Sequence, residues 1–287
     1  MVYSVAPNTP RTEIASWGAI SELLRQAHGL DVSCYSDFFL ASSFKRRMQS
    51  IPGASAEFLF NLFKNSRAEA EAFVRFLQIH HSEFFRDPLA FALLEQRILP
   101  GLANSKETLD YPEIRVWSAG CAAGEEAYSI AILLSELSDR LAIPARFRLF
   151  ATDSSAEQLE LACRGVYPAS ALGRVQQRHL DRWFTRQGDT YATAAELRRC
   201  VDFSLHGLLE EHSISPSASI FGGFDLILCC NLLFYYRPES QERILQKLRR
   251  CLASGGYLVT DESEREIVQA SGFQSLGWPA AIFQAAR

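Results

Sequence analysis

At 287 residues with 48% hydrophobic side chains, the chain is long enough for one large domain or two unequal ones and can bury a substantial core. A net charge of -4 and a pI near 5.9 supply no broad attraction for nucleic acid or an anionic membrane, so any such contact would need a local patch. No basic-then-apolar leader opens the sequence and no apolar run is long enough to cross a bilayer, so the expectation is a cytoplasmic protein without nucleic-acid partner or stable membrane insertion.

From about Thr12 to Leu77 apolar residues recur at helical spacing, as in AIxxLLxxA, AEFLFNLF and AEAFVRFL. These predict a helical N-terminal domain over residues 1–78, with SIPGAS, Ser50 to Ser55, as an internal turn. Residues 79–112 are expected to form a linker and lid region. Within them FRDPLAFALLEQRILPG predicts a helix capped by Asp87 and stopped by Pro100 and Gly101.

After residue 112 the pattern changes. RVWSAG reads as a buried strand before the EEAYSIAILLSEL helix, and ARFRLFATD as a strand before the SSAEQLELACRG helix. GFDLILCC adds a strand, PESQERILQKLRRCLA a helix begun by proline, and GGYLVTDE a strand after a glycine stop. This alternation predicts an α/β fold over 113–287, a mostly parallel sheet with helices on both faces. An antiparallel pair in GFQSLGWPAAIFQAA is expected to close the sheet edge. Between about 168 and 200 the alternation breaks around a QGD turn, which predicts an inserted rim subdomain: either an elaborated crossover or a partner-binding surface.

The seven cysteines, Cys34, Cys121, Cys163, Cys200, Cys229, Cys230 and Cys251, are scattered and odd in number, as expected of reduced, mostly buried thiols. No CxxC or HExxH occurs, and Cys229 and Cys230 would point oppositely along a strand, so no metal is expected. Trp117 and Trp183 read as packing residues.

The nearly bulk-free SAGCAAG lies between a strand and a helix. Gly120 and Gly124 permit a sharp turn whose backbone can approach a ligand, and the helix start offers free N–H groups. An ordinary tight βα turn would accept the same residues. Asp153, ending the second strand in LFATD, sits where a carboxylate can bind ribose hydroxyls, or alternatively cap a helix. Glu125 and Glu126 open the helix after the glycine turn and would repel a pyrophosphate. They suit a cofactor with a ribose and a cationic amino-acid end; S-adenosylmethionine carries a sulfonium and an ammonium and no phosphate. A dinucleotide dehydrogenase is correspondingly disfavoured.

The words HHSEFFRDP, RVWSAGCAAGEEAYSIA, LFATDSS, GVY, FDLILCCNLLFYYRPESQERIL and GGYLVTDESE, in this order, resemble the CheR-type protein-glutamate O-methyltransferases of chemotaxis receptors. The resemblance runs from the N-terminal helices to the final strand. It implies a doubly wound S-adenosylmethionine-dependent methyltransferase fold with a small helical N-terminal domain and an inserted β-subdomain. The implied function is methylation of glutamate side chains on the chemoreceptor cytoplasmic helical domain, with S-adenosylhomocysteine as the cofactor product. Carried over residue by residue, it implies Arg86 by cofactor and substrate and Tyr235 near the transferred methyl. It places cofactor contacts at His80, Ser82, Arg86, Gly120, Gly124, Glu125, Glu126, Asp153, Leu208, Asn231 and Leu232. The chain departs from the family pattern at His80, at Gly207 where an asparagine is common, at Cys230 where an arginine is usual, and at Asp261-Glu262 within the DESE word.

Lys45, Arg46 and Arg47 form a solvated helix face or an acidic-protein docking patch; the resemblance implies docking of a receptor there, with the inserted subdomain as a second contact. A monomer is expected. Two alternatives stay open: a methyltransferase for another protein or small molecule, and a cofactor-binding signalling partner with weak turnover.

Overall fold

The computed structural model of the chain describes residues 18–78, 82–106, 113–141, 146–210, 212–219 and 223–285. Two compact units emerge, one of residues 1–79 with Tyr235–Arg237 and one of residues 80–234 with 238–287.

The first unit holds four helices among its described residues, α1 (Gly18–His28), α2 (Asp37–Gln49), α3 (Ala56–Asn65) and α4 (Arg67–Leu77). Serines at 36, 55 and 66 begin α2, α3 and α4, each side chain accepting an amide proton three residues on. The apolar stripes meet in a core where Phe63 stacks on Phe73 at 4.8 Å and Phe44 packs edge-on against both. Tyr235–Arg237 joins this unit through the Tyr235 carbonyl, which accepts from the Ser36 amide at 2.8 Å, and through an Arg237–Asp37 ion pair of 2.6 Å.

The second unit begins with α5 (Pro88–Leu93), a π-turn at Leu94–Ile98 and α6 (Leu99–Lys106). There follow β1 (Glu113–Ala119), α7 (Glu125–Arg140), β2 (Arg146–Asp153) and α8 (Ala156–Arg164). The insertion contains β3 (Val166–Pro168), α9 (Gln177–Trp183), β4 (Phe184–Gln187), β5 (Thr190–Thr193) and α10 (Ala195–Cys200). The chain then returns through β6 (Val201–Leu205), β7 (Phe224–Leu228), α11 (Pro238–Cys251), β8 (Leu252–Val259), α12 (Arg265–Ala270), β9 (Phe273–Ser275) and β10 (Ile282–Ala285).

The main sheet is seven-stranded in the order β6-β2-β1-β7-β8-β10-β9. β6, β2, β1, β7 and β8 run parallel, while β10 is antiparallel to β8 and to β9. This is the expected doubly wound sheet with its antiparallel closing pair. β7 is buried at every position, as a strand covered on both faces must be. Parallel strands put their carboxyl ends on one edge, and the order reverses direction at β1, which places the βα turns after β1 and β2 beside the turn after β7. The insertion is a separate three-stranded antiparallel sheet, β3-β5-β4, with its hairpin at Gly188-Asp189. Among the described residues no helix is long and apolar enough to cross a membrane.

Three local expectations are corrected. Asp87 does cap α5, accepting from the Leu89 and Ala90 amides, but Pro100 and Gly101 do not stop the helix. The intervening π-turn, in which Leu99 donates to Leu94 five residues back, changes the register, so Pro100 lies in the first turn of a new helical segment, where its missing N–H is least costly. Gly255 and Gly256 lie inside β8 rather than ahead of it; Gly255 has φ 78° and the pairing register with β7 shifts there. Cys229 and Cys230 follow the end of β7 instead of alternating along it.

Candidate functional site

The turn between β1 and α7 has the tightness expected of SAGCAAG. Gly120 and Gly124 hold φ of 81° and 95°, and a β-carbon on either would meet a neighbour, Leu232 Cδ1 at 2.6 Å or Ala162 Cβ at 2.9 Å. The Gly120 and Cys121 amides both donate to the Thr152 carbonyl, at 2.8 and 2.9 Å. Between the glycines Ala122 stands at φ 47°, a left-handed conformation costing about 1–2 kcal/mol for a residue with a β-carbon. Asp153 offsets this cost. Its Oδ2 accepts from the Ala122 amide and its Oδ1 from the Ser155 amide, each at 2.9 Å. Asp153 is thus a brace of the turn as well as the carboxylate expected to meet a ribose, and each of its oxygens retains a lone pair for a hydroxyl donor.

The acids that open α7 differ. Glu125 is buried, whereas half-buried Glu126 accepts from the Ser118 hydroxyl at 2.7 Å. Burial pushes the Glu126 carboxyl above its ordinary range, and the Ser118 hydroxyl, the Cys230 thiol and the charge of Arg86 only partly pull it back. A carboxylate so placed favours a further cation. Arg86, expected by the cofactor, also acts on Asp261: burial raises that carboxyl, but Ser263, the Asn231 side chain and the Arg86 charge leave it below the usual range. Arg86, Glu126, Asn231 and Asp261 therefore lie within one electrostatic neighbourhood.

Asn231 has φ 60°, again left-handed, and half-buried Leu232 lies over Gly120. This turn is held from below by Glu264, whose side chain is fully buried. Its Oε1 accepts from the Leu232 and Leu233 amides at 2.7 and 2.6 Å, and its Oε2 from the Asn231 and Asp261 amides, both at 3.0 Å. Burial pushes the Glu264 carboxyl up to about 7 against the pull of these donors. Glu264 was not among the expected site residues. The Asp261-x-x-Glu264 spacing was its signal, since it is that of a capping box, which forms here.

Of the other expected residues, Ser82 is half-buried at the start of the Arg86 loop and Leu208 is buried just beyond β6. His80 lies outside the described residues. Gly207 donates its amide to the Glu210 carboxylate at 2.9 Å. Tyr235 belongs to the first unit, with its ring 4.8 Å from Phe39. Burial pushes the Cys121 thiol well up, which suits a small turn residue and opposes a nucleophile. Trp117 is fully buried, its indole donating to Thr152 at 2.9 Å. In the basic trio, Lys45 and Arg46 are exposed but Arg47 is half-buried and paired with Glu69 at 2.9 Å. Among the described residues no group of three or more His, Cys, Asp or Glu side chains is placed to hold a metal.

The donor set fits S-adenosylmethionine: carboxylates that could meet its ammonium, a partly committed aspartate with lone pairs left for ribose hydroxyls, and turn glycines whose β-carbons would clash. Residues 80–281 match the family described as CheR methyltransferase, SAM binding domain. The chain is 29% identical to a chemotaxis protein methyltransferase of Listeria innocua over 85% of its own length and 88% of the relative's. It is 33% identical to a chemotaxis protein methyltransferase of Vibrio parahaemolyticus over 63% of each chain. It is 30% identical, over 94% of its length, to an uncharacterized 104.1 kDa protein of Rhodobacter capsulatus, of which it spans only 27%.

Proposed function

The chain belongs to the CheR methyltransferase family, and from that membership we propose that it methylates glutamate side chains on chemoreceptor cytoplasmic domains, forming glutamate methyl esters. The observation that carries the reading is the desolvated carboxylate of Glu126 beside the charge of Arg86 at the mouth of the glycine turn. Such a site accepts an amino-acid zwitterion and a cationic donor and disfavours a phosphate.

S-adenosylmethionine supplies, when bound, the methyl group activated on its sulfonium. Asp153 would hold the ribose, and Glu126 with Glu125 the ammonium. A glutamate substrate needs no general base, because its pKa of about 4.3 leaves it ionised near neutral pH. The protein's work is alignment and exclusion of water, and near-attack positioning can contribute roughly 7–11 kcal/mol at the favourable limit. The planar fork of Arg86 suits orientation of a carboxylate, either the substrate's or the cofactor's. The Tyr235 hydroxyl would position the acceptor.

The test is incubation with methyl-labelled S-adenosylmethionine and receptor cytoplasmic fragments, followed by site-resolved mass spectrometry. The expected product is a base-labile methyl ester on glutamate, with transfer reduced in R86A and Y235F; wild-type rates in both variants reject these roles. Label on another native acceptor and none on receptor glutamates would support the second reading, a methyltransferase for another substrate. One observation favours that alternative: at Cys230 a neutral thiol, rather than the family's usual arginine, stands against Glu126.

A further inference from the structure

Arg86 lies in a loop whose backbone is held from the inserted subdomain. Phe84 is fully buried and packs edge-on against Tyr167 of β3 and Phe184 of β4, at 4.9 and 5.3 Å. Phe85 stacks on His179 of α9 at 5.3 Å, and its amide donates to the Ser129 hydroxyl of α7 at 3.0 Å. Phe85 also has φ 50°, a costly conformation for a bulky L-residue. Something must keep the backbone from relaxing there. Arg174, just ahead of α9, spans the strained residue: its Nε pairs with the Glu83 carboxylate at 3.1 Å, and its Nη1 donates to the Arg86 carbonyl. One planar guanidinium therefore fixes the loop on both sides of Phe85.

We propose that Arg174 is a positioning residue for Arg86, setting from the inserted subdomain where the Arg86 side chain begins. The assignment rests on the role given to Arg86 above. Arg174 is exposed and Glu83 half-buried, at 50% and 34% of their side-chain surface, so solvent screens the pair and it adds little to global stability. Its effect falls instead on geometry, where a displacement near 1 Å can reduce a rate about 100-fold. Lysine can keep the charge beside Glu83 but lacks the fork that reaches the Arg86 carbonyl at the same time.

R174A, R174K, R86A and the R174A/R86A double variant form the test, read by methyl transfer, S-adenosylhomocysteine affinity, melting temperature and hydrogen exchange of the amides of residues 83–87. R174A is expected to lower kcat roughly tenfold or more, with melting temperature close to wild type and any change in cofactor affinity no larger than that of R86A. R174K should recover only part of the rate, and R174A should add nothing in the R86A background. In R174A the amides of 83–87 should exchange at least about tenfold faster. Unchanged exchange, or rate losses that add fully in the double variant, overturns the proposal. If the wild-type protein methylates no receptor glutamate, the functional reading fails separately, and the exchange experiment, which needs no substrate, still decides whether Arg174 holds the loop.

Discussion

Replacing Glu264 by glutamine tests the physics of the turn that carries Asn231 and Leu232. A carboxyl at 4.5 in the unfolded chain that rises to about 7 on folding binds its proton more tightly in the native state. Its stabilising contribution is therefore fully present below about pH 4.5 and is lost as pH rises through about 7. At about 1.4 kcal/mol per pKa unit the change amounts to about 3 kcal/mol. Glutamine does not titrate. It also turns an NH2 group toward two of the four amide donors, at a roughly pH-independent cost of about 1–3 kcal/mol for each donor left unmatched. Urea unfolding of wild type and E264Q at pH 4.5, 6, 7 and 8 isolates the group. Three of the four tryptophans, Trp117, Trp183 and Trp278, lie in the second unit, so the emission reports chiefly on that unit. The stability advantage of wild type over E264Q should shrink by about 3 kcal/mol between pH 4.5 and 8. A difference that stays flat, or grows with pH because the amide donors outweigh burial, refutes the reasoning.

D153A should weaken S-adenosylhomocysteine binding by more than tenfold, about 1.4 kcal/mol or more, because it removes both the proposed ribose acceptor and the brace on left-handed Ala122. D153N keeps one acceptor oxygen and should fall between; calorimetric titration checks the order, and wild-type affinity in folded D153A removes the assignment. K45E/R46E should keep cofactor affinity while losing receptor methylation most strongly at low salt, where exposed charges act furthest. R47E should instead lower the melting temperature, because Arg47 is tied to Glu69 within the helical unit; equal receptor kinetics for wild type and K45E/R46E at low salt argues against the docking face.

Much of the molecule follows from local chemistry in the sequence. The serine-capped amphipathic helices, the βα alternation and the closing antiparallel pair each depend on periodicity and caps over ten to twenty residues. Gly120, Gly124 and Asp153 were recognisable because a tight strand-to-helix turn and an acid ending the next strand are both chain-local features. Pro100 shows where such reading stops: proline ordinarily ends a helix, but the register change of the π-turn puts this one in the first turn of a new helical segment. The same holds for the site's supports. Glu264 is 31 to 33 residues from the amides of Asn231, Leu232 and Leu233 that it accepts, and Arg174 is 88 from the Arg86 carbonyl. A carboxylate's partners across such distances depend on which strand ends the sheet order brings together, and a guanidinium's on how the insertion folds back over the loop. The sequence by itself determined which residue types could bind or orient; the tertiary structure decided which charges are desolvated and which backbones are held in strained conformations, because burial and long-range hydrogen bonding exist only once the chain has packed.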